Sequence, residues 1–336
     1  MRKKTFIAST YRPVLKGLKL NKAISSLEVD FFKQRKNPII KCTVILIVHE
    51  DNSPTNCLYK YIKKPNACVL YYDDFCKNWD FSFENSNLKF HLKTGQVIEP
   101  LGIYVRPFFH HRASKFREHS LNLAHAIELW SGAVIGPTIE NVNNGSKAYQ
   151  LVTTIKNAEK ASQCKNHQIA PSYFIKGKKP GIEKLIKHHD SLIVKSCSGI
   201  RSRVVSEEEF LKWDQRNLNS VPVLFQKRMP GKDVRVHVLD NEIWAVQVKE
   251  KKGIDYRYVE RGDYMAYPLS SMQKKFCFTL QQLENLRLVG IDFLIDENNN
   301  MSCLECNPNP GWAGFHRKSK DEPRLVKSLY KKLRKG

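Results

Sequence analysis

Asp292 and Glu305 sit in two apolar runs, Gly290-Ile291-Asp292-Phe293-Leu294-Ile295 and Met301-Ser302-Cys303-Leu304-Glu305-Cys306-Asn307. The polar stretch Glu297-Asn298-Asn299-Asn300 between them predicts a β-hairpin. With the turn centred between Asn298 and Asn299, Asp292 falls directly opposite Glu305. Facing carboxylates on neighbouring strands lie about 4.5–5.5 Å apart at Cβ and repel. Asn307, two residues beyond Glu305, shares its face. Three hard oxygen donors on one surface suit magnesium, which takes few protein ligands at about 2.0–2.1 Å and completes its octahedron with phosphate and water oxygens. The competing reading is an ordinary ion pair between one carboxylate and a Lys or Arg. A one-residue slip would also turn Asp292 to the other face.

A metal–phosphate site needs cations and close backbone approach. Ile193-Val194-Lys195-Ser196-Cys197-Ser198-Gly199 is an apolar strand ending in Lys195, followed by small residues such as Ser198 and Gly199. Small residues let backbone N–H groups reach phosphate oxygens. A plain turn after a strand-end lysine explains the same residues. Asp233-Val234-Arg235-Val236-His237-Val238 alternates, with Asp233 and Arg235 on one face and the valines on the other. Asp255-Tyr256-Arg257 supplies a further arginine. Singly, each arginine reads as a solvated surface residue.

The elements that must position these residues are legible as patterns. Residues 1–41 are basic and weakly patterned and read as a partly ordered extension. Apolar runs at Thr43–Val48 and Ala67–Tyr72 predict strands, the first buried on both faces. Gly102–Pro107 is a third candidate strand, and Lys115–Trp130 carries helical spacing. Residues 42–140 therefore predict a small α/β domain, and 139–145, rich in Asn and Gly, a linker. Beyond it, helices are expected at 146–165, 181–188, 206–213 and 271–285. Strands are expected at 169–175, 192–196, 221–227, 233–239, 242–248, 287–295 and 301–306. A basic amphipathic helix, Arg324–Arg334, follows.

The chain has 336 residues and a net charge of +23, from 56 Lys and Arg against 33 Asp and Glu. The apolar content argues against disorder, and the longest apolar run, Cys42–Val48, is far short of the roughly 20 residues that span a bilayer. The basic start has no sustained apolar stretch, so no secretory signal is expected. The charge suits a polyanionic partner, whether nucleic acid, an anionic membrane or an acidic substrate, with compositional drift as the plain alternative. Nine scattered cysteines suit a reducing, cytoplasmic setting. Cys303 and Cys306 stand three apart in a strand, so they are expected on opposite faces, unable to share a zinc. The pairs His110-His111 and His188-His189 read as surface or core residues.

Taken together and in this order, the pieces resemble the ATP-grasp superfamily, most closely the RimK-like ligases and, within them, the graspetide (microviridin-type) peptide macrocyclases. The likeness rests on Val194-Lys195 with Ser198-Gly199, Phe225-Gln226, Asp233-Val234-Arg235-Val236, Asp255-Tyr256-Arg257, Gly290-Ile291-Asp292 and Leu304-Glu305-Cys306-Asn307-Pro308-Asn309. Tyr104-Val105-Arg106-Pro107 and Pro310-Gly311-Trp312 are also similar to segments of those enzymes. The resemblance implies an α/β (α+β) chain. An ATP-grasp fold would occupy 141–336, behind a small pre-ATP-grasp domain.

The resemblance also implies roles. Asp292, Glu305 and Asn307 would hold one or two Mg2+ ions. Lys195 and an upstream lysine, Lys156 with Lys147 as rival, would contact the phosphates of ATP. Gln226 to Met229, through Gln226, Lys227 and Met229, would form the adenine hinge. Asp233, Ser198 and Gly199 would line the nucleotide. Arg235 and Arg257 would neutralise the transferring phosphoryl group. Lys227 and Arg228 depart from the family, which commonly has an acidic and an aromatic residue there. The implied activity is carboxylate activation and amide or ester formation on an acidic peptide or protein. Three alternatives stand beside it: amino-acid addition in the RimK manner, a kinase of highly phosphorylated inositols, and a non-enzymatic nucleic-acid binder. A homodimer is compatible with all of them.

Overall fold

The structure is a computed structural model. It describes residues 39–48, 53–63, 66–75, 77–106, 117–137, 147–161, 167–175, 179–189, 192–195, 202–205, 223–249, 263–319 and 321–335, together with 208, 210 and 212. The expected linker at 139–145 and most of the expected helix at 206–213 lie outside these residues.

The first unit is built on β1 (Ile39–Val48), β2 (Ala67–Tyr71), the hairpin β3 (Trp79–Glu84) and β4 (Asn87–Leu92), β5 (Val97–Val105) and β6 (Ala133–Ile135). The sheet runs β2-β1-β5-β4-β3, with β6 pairing β5. Strands β1, β2, β5 and β6 are parallel. β1 starts at Ile39, three residues inside the segment read from sequence as an extension. Its apolar run is continuous because both faces are covered. Ile45 and Ile47 pack with Leu123, Ala124 and Ile127 of helix α2 (Arg117–Leu129). Val44 and Leu46 pack on the other side with Leu58 of helix α1 (Ser53–Ile62). The hairpin turns through Asn85 and Ser86, both at positive φ, a conformation that asparagine tolerates well.

After helix α3 (Lys147–Ala161) come β7 (His167–Ile169), β8 (Ser172–Ile175), helix α4 (Lys179–His189), β9 (Leu192–Lys195), β10 (Ser202–Val205) and β11 (Val223–Lys227). β8, β9, β10 and β11 form a small antiparallel sheet in the order β10-β9-β11-β8. Ile182 and Ile186 of α4 close its core against Leu192, Val194 and Phe225.

The third sheet is formed by β12 (Lys232–Leu239), β13 (Glu242–Lys249), β14 (Asp263–Ala266), β15 (Leu288–Ile295), β16 (Met301–Asn307) and β7, in the order β14-β13-β12-β15-β16-β7. Its two faces are covered differently. Val234, Val236, Val238, Ile291 and Phe293 pack against Ala158 of α3 and Phe276, Cys277 and Leu280 of helix α5 (Ser271–Leu283). Ser270 and Gln273 close a capping box at the start of α5. On the opposite face, helix α6 (Ala313–Ser319) and helix α7 (Glu322–Leu333) pack between this sheet and the first unit.

One core therefore spans the boundary drawn at 140. Val44 and Tyr104 meet Trp244, Leu288, Trp312, Leu325 and Leu329 in a single cluster. Trp312 Nε1 donates to Tyr104 Oη at 3.1 Å, and a Cβ on Gly102 would come within 2.0 Å of the Leu333 carbonyl oxygen. The apolar stripe of the basic terminal helix is thus buried against β5. Of its charged residues, Lys332 pairs with Asp240 and Glu242. Among the described residues no helix is long and apolar enough to cross a membrane.

Candidate active site

The alternation of β12 sends Val234, Val236 and Val238 into the core under α5, which leaves Asp233, Arg235 and His237 on the other face. Register then brings in the neighbouring strands. Arg235 lies opposite Asp292 and His237 opposite Gly290. Asp292 lies opposite Glu305, and Gly290 opposite Asn307. Partners in a ladder share a face. Asp233, Arg235, Asp292, Glu305 and Asn307, all named from sequence, therefore stand on one surface.

The register expected from a turn centred between Asn298 and Asn299 holds at this end of the hairpin and changes at the other. Phe293 pairs with Cys303, not with Leu304, and the shift lies between Asp292 and Phe293. Leu304 is the extra residue of a β-bulge. The bulge corrects the expectation for the two cysteines. Cys303 and Cys306 both enter the core beneath α5, beside Cys277. They remain buried thiols rather than ligands, because burial pushes all three well above the ordinary thiol range.

The electrostatics of the surface are those of crowded acids held by buried cations. Arg235 Nε contacts Asp292 Oδ1, and the two side chains are only 7% and 14% exposed. Burial pushes the Asp292 carboxyl up to about 7. Arg235 opposes this, Glu305 and Asp233 add to it, and Lys195 opposes it. Asn307 Oδ1 accepts a hydrogen bond from the Asn309 backbone at 2.8 Å, which sets the rotamer of the amide. A divalent cation fits this set. Two carboxylates and an amide oxygen share one face, the hard-oxygen donor set that such an ion takes. Among the described residues no group of three His, Cys, Asp or Glu side chains is arranged for a metal, so Asn307 and non-protein oxygens would complete the shell.

Two glycines let the backbone pack tightly here. A Cβ on Gly290 would lie 2.6 Å from Pro310 Cβ and 3.5 Å from Arg235 Nη1. Gly231, at φ +134°, carries the chain from β11 into β12 against the Ile295 backbone. Arg106, at the end of β5, donates to the Pro310 carbonyl at 2.7 Å. The first unit thus holds the Asn307–Pro310 loop. The Arg-Pro pair was visible in the sequence, but its partner 204 residues away was not.

On the nucleotide side, Lys195 ends β9 and is close enough to Asp292 to lower its pKa. Gln226 is buried at 1% exposure, and its Nε2 donates to Ser172 Oγ at 2.9 Å, while Ser172 donates on to the Ala170 carbonyl. This chain fixes the amide orientation and leaves Gln226 Oε1 buried with no hydrogen-bond donor among the described residues. An exocyclic amine such as that of adenine fits an acceptor of this kind. The Lys227 N–H, expected as a hinge donor, is already taken by the Pro171 carbonyl at 2.7 Å. Met229, partly buried, lies in the irregular segment leading to Gly231. Lys156 is not brought to the cluster. It is exposed on α3, which packs on the opposite face of the sheet. Lys147 opens the same helix. Ser198, Gly199 and Arg257 lie outside the described residues.

Residues 165–325 match the family model described as a RimK-like ATP-grasp domain. This part of the chain is similar to RimK-like ATP-grasp domains. Among solved structures, the ATP-grasp ligase PsnB, in complex with a phosphomimetic variant of a minimal precursor, Mg and ADP, superposes with a TM-score of 0.71. The match is 20% identical and covers 87% of this chain and 99% of that one. The macrocyclase MdnC of Microcystis aeruginosa, bound with precursor peptide MdnA, gives 0.67 at 16% identity, covering 88% of this chain and 100% of that one. At these identities the likeness establishes the ATP-grasp fold, including the small α/β unit in front. In sequence, N-acetylaspartylglutamate synthase A of Mus musculus is 27% identical over 164 residues, 43% of this chain and 42% of the relative. The chain thus spans less than half the length of that curated relative.

Proposed function

We propose that the protein is an ATP- and Mg2+-dependent carboxylate ligase of the graspetide type, joining acidic side chains of a peptide to amines or hydroxyls. One observation carries this reading: the Asp292–Glu305–Asn307 oxygen surface lies within the field of two cations, Arg235 and Lys195. The chemistry that ATP supplies is conversion of a carboxylate to an acyl phosphate, from which an amine or hydroxyl displaces phosphate.

The residues of this chain position and neutralise. Asp292, Glu305 and Asn307 would hold one or two Mg2+ ions. Arg235 and Lys195 are placed to offset charge on the transferring phosphoryl group, with Arg257 as a further candidate. Gln226, Met229 and Asp233 would line the nucleotide, with Ser198 and Gly199 close to its phosphates. Lys147, the rival to Lys156, is the remaining candidate for the upstream cation. The excess of positive charge suits an acidic peptide.

The test is incubation of Asp- and Glu-rich peptides that also contain Lys, Ser and Thr with ATP and Mg2+. Loss of one water per bond in the intact mass supports the reading. Unchanged peptide masses alongside ATP turnover that starts only when a free amino acid is added would instead support the second reading, amino-acid addition in the RimK manner. That reading is favoured by the match to N-acetylaspartylglutamate synthase A.

A further inference from the structure

His237 stands two residues beyond Arg235 on the same face of β12, and it is fully buried. Its Nδ1 lies 2.7 Å from Nε2 of His316, which is also fully buried and belongs to α6. The two rings cross at 71° with centroids 4.7 Å apart. Their outer nitrogens, His237 Nε2 and His316 Nδ1, have no hydrogen-bond partner among the described residues. The bond between the rings is therefore the one polar anchor shown for either side chain. A buried bond of this kind leaves two uncompensated polar groups if it is broken, so it is directional where an apolar contact would not be.

The residue before His316 is Phe315. Its ring lies 5.2 Å from Cζ of Arg235, 5.9 Å from the His237 ring, and edge-on to Tyr264 at 5.2 Å. An aromatic face at this distance attracts a guanidinium and limits how it turns. Helix α6 has only seven residues, too few to hold its own position. Its described ties include the Trp312 carbonyl, which accepts from the His316 N–H, the buried Trp312 and Ala313, the packing of Phe315 on Val246 and Val248, the Arg317–Glu322 ion pair, and the histidine pair, which is the one polar tie from its buried face to β12.

Both rings are neutral near pH 7. Burial, then His316 and Arg235, hold His237 well below the ordinary histidine range, and burial holds His316 down to about 4. The pair thus shares a neutral N–H···N bond beside Arg235 and adds no charge to the site.

We infer that the His237–His316 bond is a latch that fixes α6 so that Phe315 holds the Arg235 guanidinium in the orientation that reads a γ-phosphate. His237, His316 and Phe315 are then positioning residues. The inference rests on the proposed nucleotide reading and adds to it a second set of residues that touch neither metal nor nucleotide.

The test is calorimetric titration with AMPPNP and with ADP, both in Mg2+. The wild type binds AMPPNP more tightly than ADP. His316→Leu and Phe315→Leu each lose about tenfold or more of that preference, while their ADP affinities stay within about threefold. His316→Gln keeps an amide where Nε2 stood, His237→Asn keeps one where Nδ1 stood, and both retain the preference. If His316→Leu does not fold, Phe315→Leu and the two amide variants decide. The latch is overturned if both leucine variants keep the preference, or if His316→Gln loses as much as His316→Leu. It is also overturned if ADP affinity falls in step with AMPPNP affinity. A wild type that binds nucleotide without preferring AMPPNP removes the role given to Arg235. A wild type that binds neither nucleotide overturns the nucleotide reading itself and the latch with it.

Discussion

Asp292 on β15 pairs directly with Glu305 on β16, and the next pair, Phe293 with Cys303, leaves Leu304 without a cross-strand partner. The bulge lets one strand present Glu305 and Asn307 to the site while Cys303 and Cys306 both stay in the core. In the proposed reading, the two carboxylates beside Arg235 would hold a divalent cation on which turnover depends.

Replacing either acid should therefore cut metal-dependent turnover, with Glu305→Ala sparing the fold and Asp292→Asn costing stability because Arg235 loses its buried partner. Glu305→Ala and Asp292→Asn should each lower phosphate release from Mg·ATP by about a hundredfold or more, the scale expected when charge stabilisation at a phosphoryl group is lost. Glu305→Ala should also raise the Mg2+ concentration needed for half-maximal rate. Melting curves and steady-state rates on the same preparations check both statements. Wild-type turnover in Glu305→Ala would remove the metal assignment.

Metal binding should compete with protons. Burial holds metal-free Asp292 at about 7, above its unfolded value, so the folded chain binds this proton more tightly than the unfolded chain does. The contribution of Asp292 to metal-free stability is accordingly present at low pH and lost as pH rises through the window up to about 7. Mg2+ must displace the proton, so apparent affinity should rise about tenfold per pH unit below that window's top and level off above it. Glu305→Gln removes a neighbour that raises the Asp292 pKa and should move the plateau to lower pH. Calorimetry in buffers of different ionisation enthalpy counts the released proton.

The histidine pair predicts the opposite slope. His316 is held at about 4 against an unfolded value near 6.5, so the unfolded chain takes up the proton first. Stability from the neutral ring is complete above pH 6.5 and is lost as pH falls towards 4. His237 acts in the same direction. Asp292 titrates over an overlapping range with the other sign, but it is common to wild type and to a His237→Asn/His316→Gln variant. Between pH 7 and pH 5.5 the wild type should therefore lose about 1.5 kcal/mol or more relative to that variant. Denaturant titrations of both proteins at the two pH values measure the difference.

The loop after β16 is held from both sides, and each contact can be removed singly. Gly290→Ala places a methyl group against Pro310 and should cost about 1–3 kcal/mol, as overpacking does. Arg106→Met removes the hydrogen bond to the Pro310 carbonyl and should cost about 1 kcal/mol. Thermal melts of the two variants give the comparison.

Much of this was readable before the structure because strand patterns carry it. The alternation of Asp233-Val234-Arg235-Val236 sorts its faces without help, and the Asn-rich turn places Asp292 against Glu305. What the pattern did not show has physical reasons. The Leu304 bulge adds one residue without altering local hydropathy, so Cys303 seemed to face away from Cys306. The edge strand Asp263–Ala266 and the helix Ala313–Ser319 are too short to display a period. The Trp79–Leu92 hairpin does alternate, with Trp79, Phe81, Leu88, Phe90 and Leu92 turned to the core, and was legible but unread, whereas the helix Ser53–Ile62 lacks a clear apolar stripe. His237 was visible in alternation with Arg235, but its partner His316 comes from 79 residues further along the chain. The resemblance offered Lys156, with Lys147 as rival, and Lys156 is exposed on a helix that packs on the far side of the sheet.

The central claim is that a substrate carboxylate is activated by ATP at the Asp292–Glu305–Asn307 surface. Its most direct test uses an acidic peptide whose side-chain carboxylates carry a heavy-oxygen label, incubated with the protein, ATP and Mg2+. The account predicts one labelled oxygen in the released inorganic phosphate for each amide or ester bond formed, and none with Glu305→Ala. Bond formation with unlabelled phosphate, or a phosphorylated peptide as the end product, would contradict it.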